Sequence, residues 1–472
     1  MKIQLKNIGM LEEAEFEVGD ITLICGENNT GKTYATYSLY GYLDFMRKIG
    51  DYNIFTRRRS LFEDSKSEYI KKRIQEKKIT FEEIQKRIYK HLEEKGQAYS
   101  KYILLEVMAG KNENFANAYF NVDITISLED IKCAVEKYLE NNEIHMRYKT
   151  KFKHTIYSDG LAIEMIKLEN AREFNGYIKS FLDSLLNIIM NRNFILSVER
   201  TGASIFQEEL DFTKIARLEA ARKILKDEKN IGLFEIAETL DAKKQLYPQP
   251  VRDNINFIRK IKEIAKKQSL FKKEKEQYKT ILDCLAKILG GKYKTTDVGI
   301  LFQPKGTKTA YNVEIASSSV RSLLMLNYYI LHQAQKGDIL MIDEPELNLH
   351  PKNQILLARL FALLANAGIK IFITTHSDYI VRELSNCIML SNLSDEAIQR
   401  LKNRCYSKEC KLNNNNVKAY VAKNIKGKNT LEEVKITQKQ GIFMKTFDEA
   451  IEDQNENQGL IFEEMYREQD DK

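Results

Sequence analysis

Lys2–Ile8 and Ala14–Val18 alternate polar and apolar residues, while Ile21–Cys25 is an unbroken apolar run. The first two patterns predict half-buried strands, and the third a strand covered on both faces, as in a parallel sheet. Gly19-Asp20 marks the turn between them. From about Lys32 to Lys48 the residues Tyr37, Leu39, Tyr40, Leu43 and Met46 fall on one side of a predicted helix. Residues 57–105 are highly charged, with Ile70, Ile74, Ile79, Ile84 and Ile88 at helical spacing, which reads as solvated helices. Strands are expected within 118–127 and 143–167, the latter around a Ser158–Gly160 turn, and at Phe194–Val198. Residues 205–289 read as helical, broken near Pro248-Gln249-Pro250 and closed by Gly290-Gly291. Strands follow at 298–302 and 310–315, and then helix and strand alternate up to about 390, the α/β pattern. Beyond 390 the chain is polar, with a four-Asn loop (Asn413–Asn416) and a strand at Val417–Ala422.

Composition narrows the class. With 43% hydrophobic and 30% charged residues the chain is globular, and five prolines in 472 residues leave helices few breakers. No window approaches the ~18 consecutive apolar residues of a membrane span, and the N-terminus carries no secretory apolar region. Six scattered cysteines without a CxxC pair read as reduced thiols of a cytoplasmic protein rather than a zinc site. The net charge of +7 is unevenly placed: Arg259 to Lys294 holds 12 Lys/Arg against 4 Asp/Glu, and Phe447 to Lys472 holds 10 acidic residues against 2 basic. The basic block, interleaved with Phe271, Tyr278 and Tyr293, reads either as a solvated helix face or as a surface that tracks the backbone of duplex DNA.

Three motifs carry chemistry. Gly26-Glu27-Asn28-Asn29-Thr30-Gly31-Lys32-Thr33 fits G-x4-G-K-[ST] between an apolar strand and a helix. Such a loop turns N–H groups onto phosphates at a helix N-terminus; Lys32 reaches the β/γ-phosphates of a nucleotide and the Thr33 hydroxyl can sit on Mg²⁺. The apolar run Ile339–Ile342 ends in Asp343-Glu344, a strand-tip pair suited to hold Mg²⁺ through Asp343 and to polarise water through Glu344. A second run, Ile369–Thr374, ends in Thr375-His376-Ser377, where His376 can contact a γ-phosphate or the water.

Together GENNTGKT, LMIDEPELNLHP (340–351) and ITTHSDYIV (373–381) resemble the ABC-class ATPase heads of the SMC, RecF and OLD-like group, most of all the OLD-like ATPases of bacterial anti-phage systems. The resemblance implies a split α/β head with a parallel-dominated core sheet and an antiparallel flank. It places the N-terminal half of the head at 1–50, a mostly helical insertion with a few strands at 51–290, the C-terminal half at 291–390 and a polar, acidic extension at 391–472. By position it makes Lys32 and Thr33 Walker A, Asp343 Walker B, Glu344 the catalytic carboxylate and His376 the switch histidine, and puts His350 in the D-loop. The signature loop falls at Ser317, Ser318 and Ser319, with Ser319 where relatives usually carry glycine. That loop reads either as an N-cap alone or as the element that meets the γ-phosphate held by a second subunit. Arg200, in a Glu-Arg-Thr-Gly stretch that also looks OLD-like, reads either as a coupling segment or as a surface loop.

The last 80 or so residues are too few for the TOPRIM nuclease of OLD-family enzymes, and no heptad pattern supports a long coiled-coil arm. The resemblance therefore implies a stand-alone ATPase subunit of the Septu or PARIS kind, at least dimeric, with ATP and Mg²⁺ as cofactors and a separately encoded nuclease or toxin effector. A RecF-like DNA-repair ATPase and a slow ATP-bound scaffold that sequesters an effector are the alternatives.

Overall fold

The structure, a computed structural model, describes residues 1–48, 76–140, 152–165, 171–205, 247–297, 299–401, 404 and 406–470. The chain opens with strands β1 (Lys2–Ile8), β2 (Leu11–Glu17) and β3 (Ile21–Gly26), followed by helix α1 (Lys32–Arg47). Strand β4 (Glu76–Thr80), α2 (Phe81–Ala98), β5 (Tyr119–Asp123) and α3 (Leu128–Glu140) come next. They lead to β6 (Phe152–Ile156), β7 (Gly160–Met165), α4 (Ala171–Ile189) and β8 (Asn193–Leu196). After α5 (Gln249–Arg259) and α6 (Lys279–Leu289), strands β9 (Gly291–Thr296), β10 (Gly299–Pro304) and β11 (Tyr311–Asn312) form a small antiparallel sheet. The rest alternates: α7 (Ser318–His332), β12 (Ile339–Asp343), α8 (Pro351–Asn366), β13 (Lys370–Thr375) and α9 (Asp378–Met389). The hairpin β14 (Val417–Ile425) and β15 (Lys428–Glu433) and the helix α10 (Lys445–Asp470) complete it.

Nine of these strands make one sheet in the order β5-β1-β2-β15-β14-β3-β13-β12-β8. From β14 to β8 every pairing is parallel, whereas β1 pairs antiparallel with both β2 and β5. The parallel-dominated core with an antiparallel flank that the resemblance implies is therefore what the chain forms. The sheet also draws β5 and β8 from within 51–290 and β14 and β15 from beyond 390.

Unbroken apolar strands sit in the middle because both faces are covered. In β3, Ile21, Leu23 and Cys25 face one core and Ile24 the other; in β12, Leu340 and Ile342 oppose Ile339 and Met341. One core is built with α7, α8 and α9, the other with α1 and α4, so the sheet is a central layer between helices. The start of β12 is anchored by Arg192, which donates to both oxygens of buried Asp338 at 3.0 and 2.8 Å, with Tyr329 Oη donating to the same carboxylate at 3.0 Å. That charge-assisted fork fixes where β12 begins, and hence how far Asp343 extends along the sheet.

Several expectations change. Ile79 belongs to β4, which pairs antiparallel with β7, and the helix starts only at Phe81, where Thr80 accepts from Glu83 N at 3.1 Å as its N-cap. Of the strand expected over 310–315 only Tyr311–Asn312 forms; Val313–Ile315 is a helical turn. The helical stretches expected at 57–75 and 206–246, and the strand residues 143–151, 166 and 167, lie outside the described residues. Among the described residues no helix is long and apolar enough to cross a membrane.

Candidate functional site

The carboxyl ends of β3, β12 and β13 lie level. Cys25 pairs with Thr375, and Thr374 with Asp343. Three chain segments far apart in sequence therefore end on one edge of the sheet, the edge where parallel α/β folds place ligands.

At the tip of β3 the chain turns through Gly26 (φ 138°) and Gly31 (φ 95°), both in the region that favours glycine. A Cβ at Gly26 would collide with the Ala422 carbonyl of β14, and one at Gly31 would stand 2.7 Å from Leu11 Cδ1. Thr30 closes the loop by donating to the Glu27 carbonyl at 2.7 Å, while Asn28 and Asn29 are exposed on its crest. The β14–β15 hairpin braces the loop: Asn429 Nδ2 donates to the Asn29 carbonyl at 3.3 Å. The Lys32 ammonium donates to the carbonyls of Gly26 and Glu27 at 3.0 and 2.5 Å. Burial pushes its pKa down, and the nearby carboxylates of Glu344 and Asp343 push it back up.

Thr33, first turn of α1, donates its hydroxyl to Asp343 Oδ2 at 3.1 Å, and Thr374 donates to Asp343 Oδ1. Glu344 and His376 stand half-buried beside them, with His376 Nε2 3.7 Å from Glu344 Oε1. Burial lowers the His376 pKa, as does the Lys32 charge, against the opposing pull of Glu344. The imidazole is therefore neutral near pH 7. A buried carboxylate, a threonine hydroxyl and a lysine beside a glycine-containing loop at a helix N-terminus can together hold a phosphate and a divalent cation. Among the described residues no group of three or more His, Cys, Asp or Glu could form an all-protein metal cage.

Asp343 is 1% exposed, and burial, aided by the Glu344 and Glu199 charges, pushes its carboxyl up to about 6. Folding thus favours the protonated form. The destabilisation is absent below the ordinary carboxyl value, builds as pH rises towards 6 and is full above it, about 3 kcal/mol for a shift of about two units. Asp343→Asn is therefore expected to stabilise the nucleotide-free protein by about 1–3 kcal/mol at pH 7.5, with the gain shrinking towards pH 5. Urea melts at the two pH values check this; a gain equal at both, or a loss at pH 7.5, contradicts it.

Of the other sequence-predicted residues, Ser317 and His350 cap helices. Ser317 is the N-cap of α7, accepting from Val320 N at 3.5 Å, and its hydroxyl lies 2.9 Å from that of Ser319. Ser318 follows as the first residue of α7. Among the described residues no hydrogen bond joins this loop to residues 26–33. His350 is the N-cap of α8, its Nδ1 accepting from Lys352 N at 3.2 Å. In the basic block Lys266, Lys267, Lys273 and Lys275 are exposed, but Phe271 is a core residue, Tyr278 packs edge-on against it, and Tyr293 donates to the Val320 carbonyl. The exposed face is thus lysine without the interleaved aromatics.

The surface-loop reading of Arg200 is overturned: the side chain is 2% exposed and donates to the carbonyls of Asp343 and Glu344, both at 2.7 Å. Sequence reasoning also passed over Glu346. Its carboxylate accepts from Thr375 Oγ1 at 2.8 Å and from His376 N at 2.6 Å, so it fixes the backbone that carries His376. The Glu-Pro-Glu spacing was its only signal.

Fold and site together define a nucleotide-binding α/β domain of the phosphate-loop type. The chain belongs to the AAA ATPase domain family, whose model matches residues 1–381. Among solved structures it is similar to an SMC head bound to the C-terminal winged-helix domain of ScpA, with 11% identity, 92% of this chain and 97% of that chain covered, and a TM-score of 0.34. A second is the Smc head with an extended coiled coil bound to the C-terminal domain of ScpA, from Pyrococcus furiosus, with 13% identity, 97% and 98% covered, and a TM-score of 0.30. A third is the SMC head domain from Thermotoga maritima, with 9% identity, 92% and 98% covered, and a TM-score of 0.29. No curated protein matches the chain.

Proposed function

We propose that the protein binds ATP with Mg²⁺, hydrolyses it, and works as a head-to-head switch that controls a separately encoded nuclease or toxin effector in anti-phage defence. The observation that carries the ATPase reading is the 3.1 Å hydrogen bond from Thr33 to Asp343, which ties the phosphate loop to the carboxylate strand across 310 residues of sequence. Thr33 and Asp343 would hold the Mg²⁺, which when bound neutralises charge on the phosphates. Gly26, Asn28, Asn29, Thr30 and Gly31 present the loop to the phosphates, and Lys32 turns from its own carbonyls towards them. Glu344 takes the proton of the attacking water. His376, neutral and fixed through Glu346, orients that water or the γ-phosphate. The experiment is a phosphate-release assay on purified protein with and without Mg²⁺.

Self-association is proposed because the nucleotide residues and the Ser317–Ser319 loop occupy separate parts of one chain. In this reading the loop and His350 meet the nucleotide of a second copy. Ile315, next to the loop, is 77% exposed, which suits a face covered by a partner. The Glu344→Gln variant is expected to double in mass on adding Mg-ATP. Light scattering behind gel filtration checks this, and an unchanged mass contradicts it. Leu460, Ile461, Phe462, Met465 and Tyr466, all half or more exposed on α10, support a protein partner for the effector role. Binding of duplex DNA rests on the exposed lysines of 259–294 alone, reading backbone and not bases.

A further inference from the structure

We propose that Arg200 is a positioning residue for hydrolysis, its buried guanidinium holding the turn that aims Glu344. The inference rests on the ATPase reading above. Glu344 has φ 49°, in the left-handed region, and is followed by Pro345. A non-glycine residue is uncommon there, and a following proline restricts it further. Such a conformation persists only where its surroundings impose it.

The surroundings are few. Glu344 N donates to the Thr374 carbonyl at 3.1 Å and to the Thr374 hydroxyl at 3.3 Å, and Leu347 N donates to the Glu344 carbonyl at 3.2 Å. Arg200 adds two more. Its Nη1 donates to the Asp343 carbonyl and its Nη2 to the Glu344 carbonyl, both at 2.7 Å. Two consecutive carbonyls held by one planar fork define the orientation of the peptide between them. A lysine ammonium, a point donor, does not reproduce that geometry.

Arg200 is itself fixed. Its Nη1 also donates to the Ser197 carbonyl at 2.9 Å. The end of β8 is clamped by Asn254 of α5, which accepts from Ser197 N at 2.9 Å and donates to the Ile195 carbonyl at 2.7 Å. Beside it, Glu199 accepts from Tyr37 Oη of α1 at 3.3 Å. Arg200 thus links the edge strand β8 to the turn after β12, and its neighbour Glu199 reaches the helix behind the phosphate loop. The guanidinium makes no ion pair among the described residues, so its hydrogen bonds serve backbone alone. Because the Glu344 side chain acts on water only during hydrolysis, a fault in its backbone should reach turnover and spare ATP binding.

The test uses the full chain with Arg200→Met and Arg200→Lys. Arg200→Met is expected to lower kcat by about 10²-fold, the scale for displacing a catalytic group by about 1 Å, with the Kd for a fluorescent ATP analogue within about 3-fold of wild type. Arg200→Lys should fall between the two. Adding Arg200→Met to Glu344→Gln should slow hydrolysis no further, since the residues act as one unit. Amide exchange over 343–350 should quicken at least about 10-fold in Arg200→Met. A kcat within about 3-fold of wild type, an equal loss in Kd, additive losses in the double variant, or unchanged exchange overturns the proposal. If Arg200→Met does not fold, Arg200→Lys carries the same comparisons. If the wild type does not hydrolyse ATP, the ATPase reading fails, and the exchange measurement still decides whether Arg200 holds the turn.

Discussion

Glu344→Gln is expected to lower kcat for ATP hydrolysis by about 10²-fold or more while ATP stays bound, the scale for removing a positioned general base. The substitution keeps size and shape and removes basicity. Glu344 owes its place to backbone: its N–H to Thr374, its carbonyl to Leu347 N and Arg200. None of these contacts uses the carboxylate, so the glutamine side chain should occupy the same spot. Lys32, Thr33 and Asp343, which meet the phosphates and cation, are untouched. The effect therefore falls on the transition state alone. Steady-state phosphate release reads the rate, and retention of labelled nucleotide through gel filtration reads the binding. Wild-type turnover in the variant, or loss of bound ATP, contradicts the assignment.

Lys32→Ala is expected to weaken Mg-ATP binding by about 10²-fold or more, to the point of no detectable complex. Lys32 is 7% exposed, and its ammonium spans the inside of the loop between the Gly26 and Glu27 carbonyls. Alanine removes both the cation that meets the β/γ-phosphates and the two bonds that hold the loop in shape. The loss appears in Kd rather than kcat, which separates it from Glu344→Gln. Equilibrium binding of a fluorescent analogue, with circular dichroism confirming an intact fold, checks this; a Kd within about 3-fold of wild type contradicts it.

The parts of this site that were legible in the sequence are those where local pattern and final position coincide. Ile21–Cys25 and Ile339–Ile342 are unbroken apolar runs because both faces of their strands are covered, so the residues after them had to lie at strand tips. The glycines at 26 and 31 were legible because positive φ leaves little choice of residue. What was not legible arises from closure of the chain on itself. Arg200 meets carbonyls 143 and 144 residues away, and no local pattern distinguishes it from a surface arginine. The strand at 417–422 was visible, but nothing in it says that β14 inserts beside β3 and that Asn429 of its hairpin partner braces Asn29. Ile79, Ile84 and Ile88 are spaced as a helix face, yet the first packs from a strand, because pairing with β7 outweighs the spacing. Phe271, Tyr278 and Tyr293 lie among lysines in sequence and point the other way in space.

The central claim is that one Mg-ATP is held between residues 26–33 and Asp343 and hydrolysed through Glu344. Its most direct test is phosphate release by the purified wild-type chain, measured against ATP concentration with Mg²⁺ and with EDTA, beside the Lys32→Ala/Glu344→Gln double variant. Release is expected to saturate with ATP, to stop on chelation and to be absent from the double variant. Release by the wild type that is absent at every ATP concentration, or equal in the double variant, would contradict it.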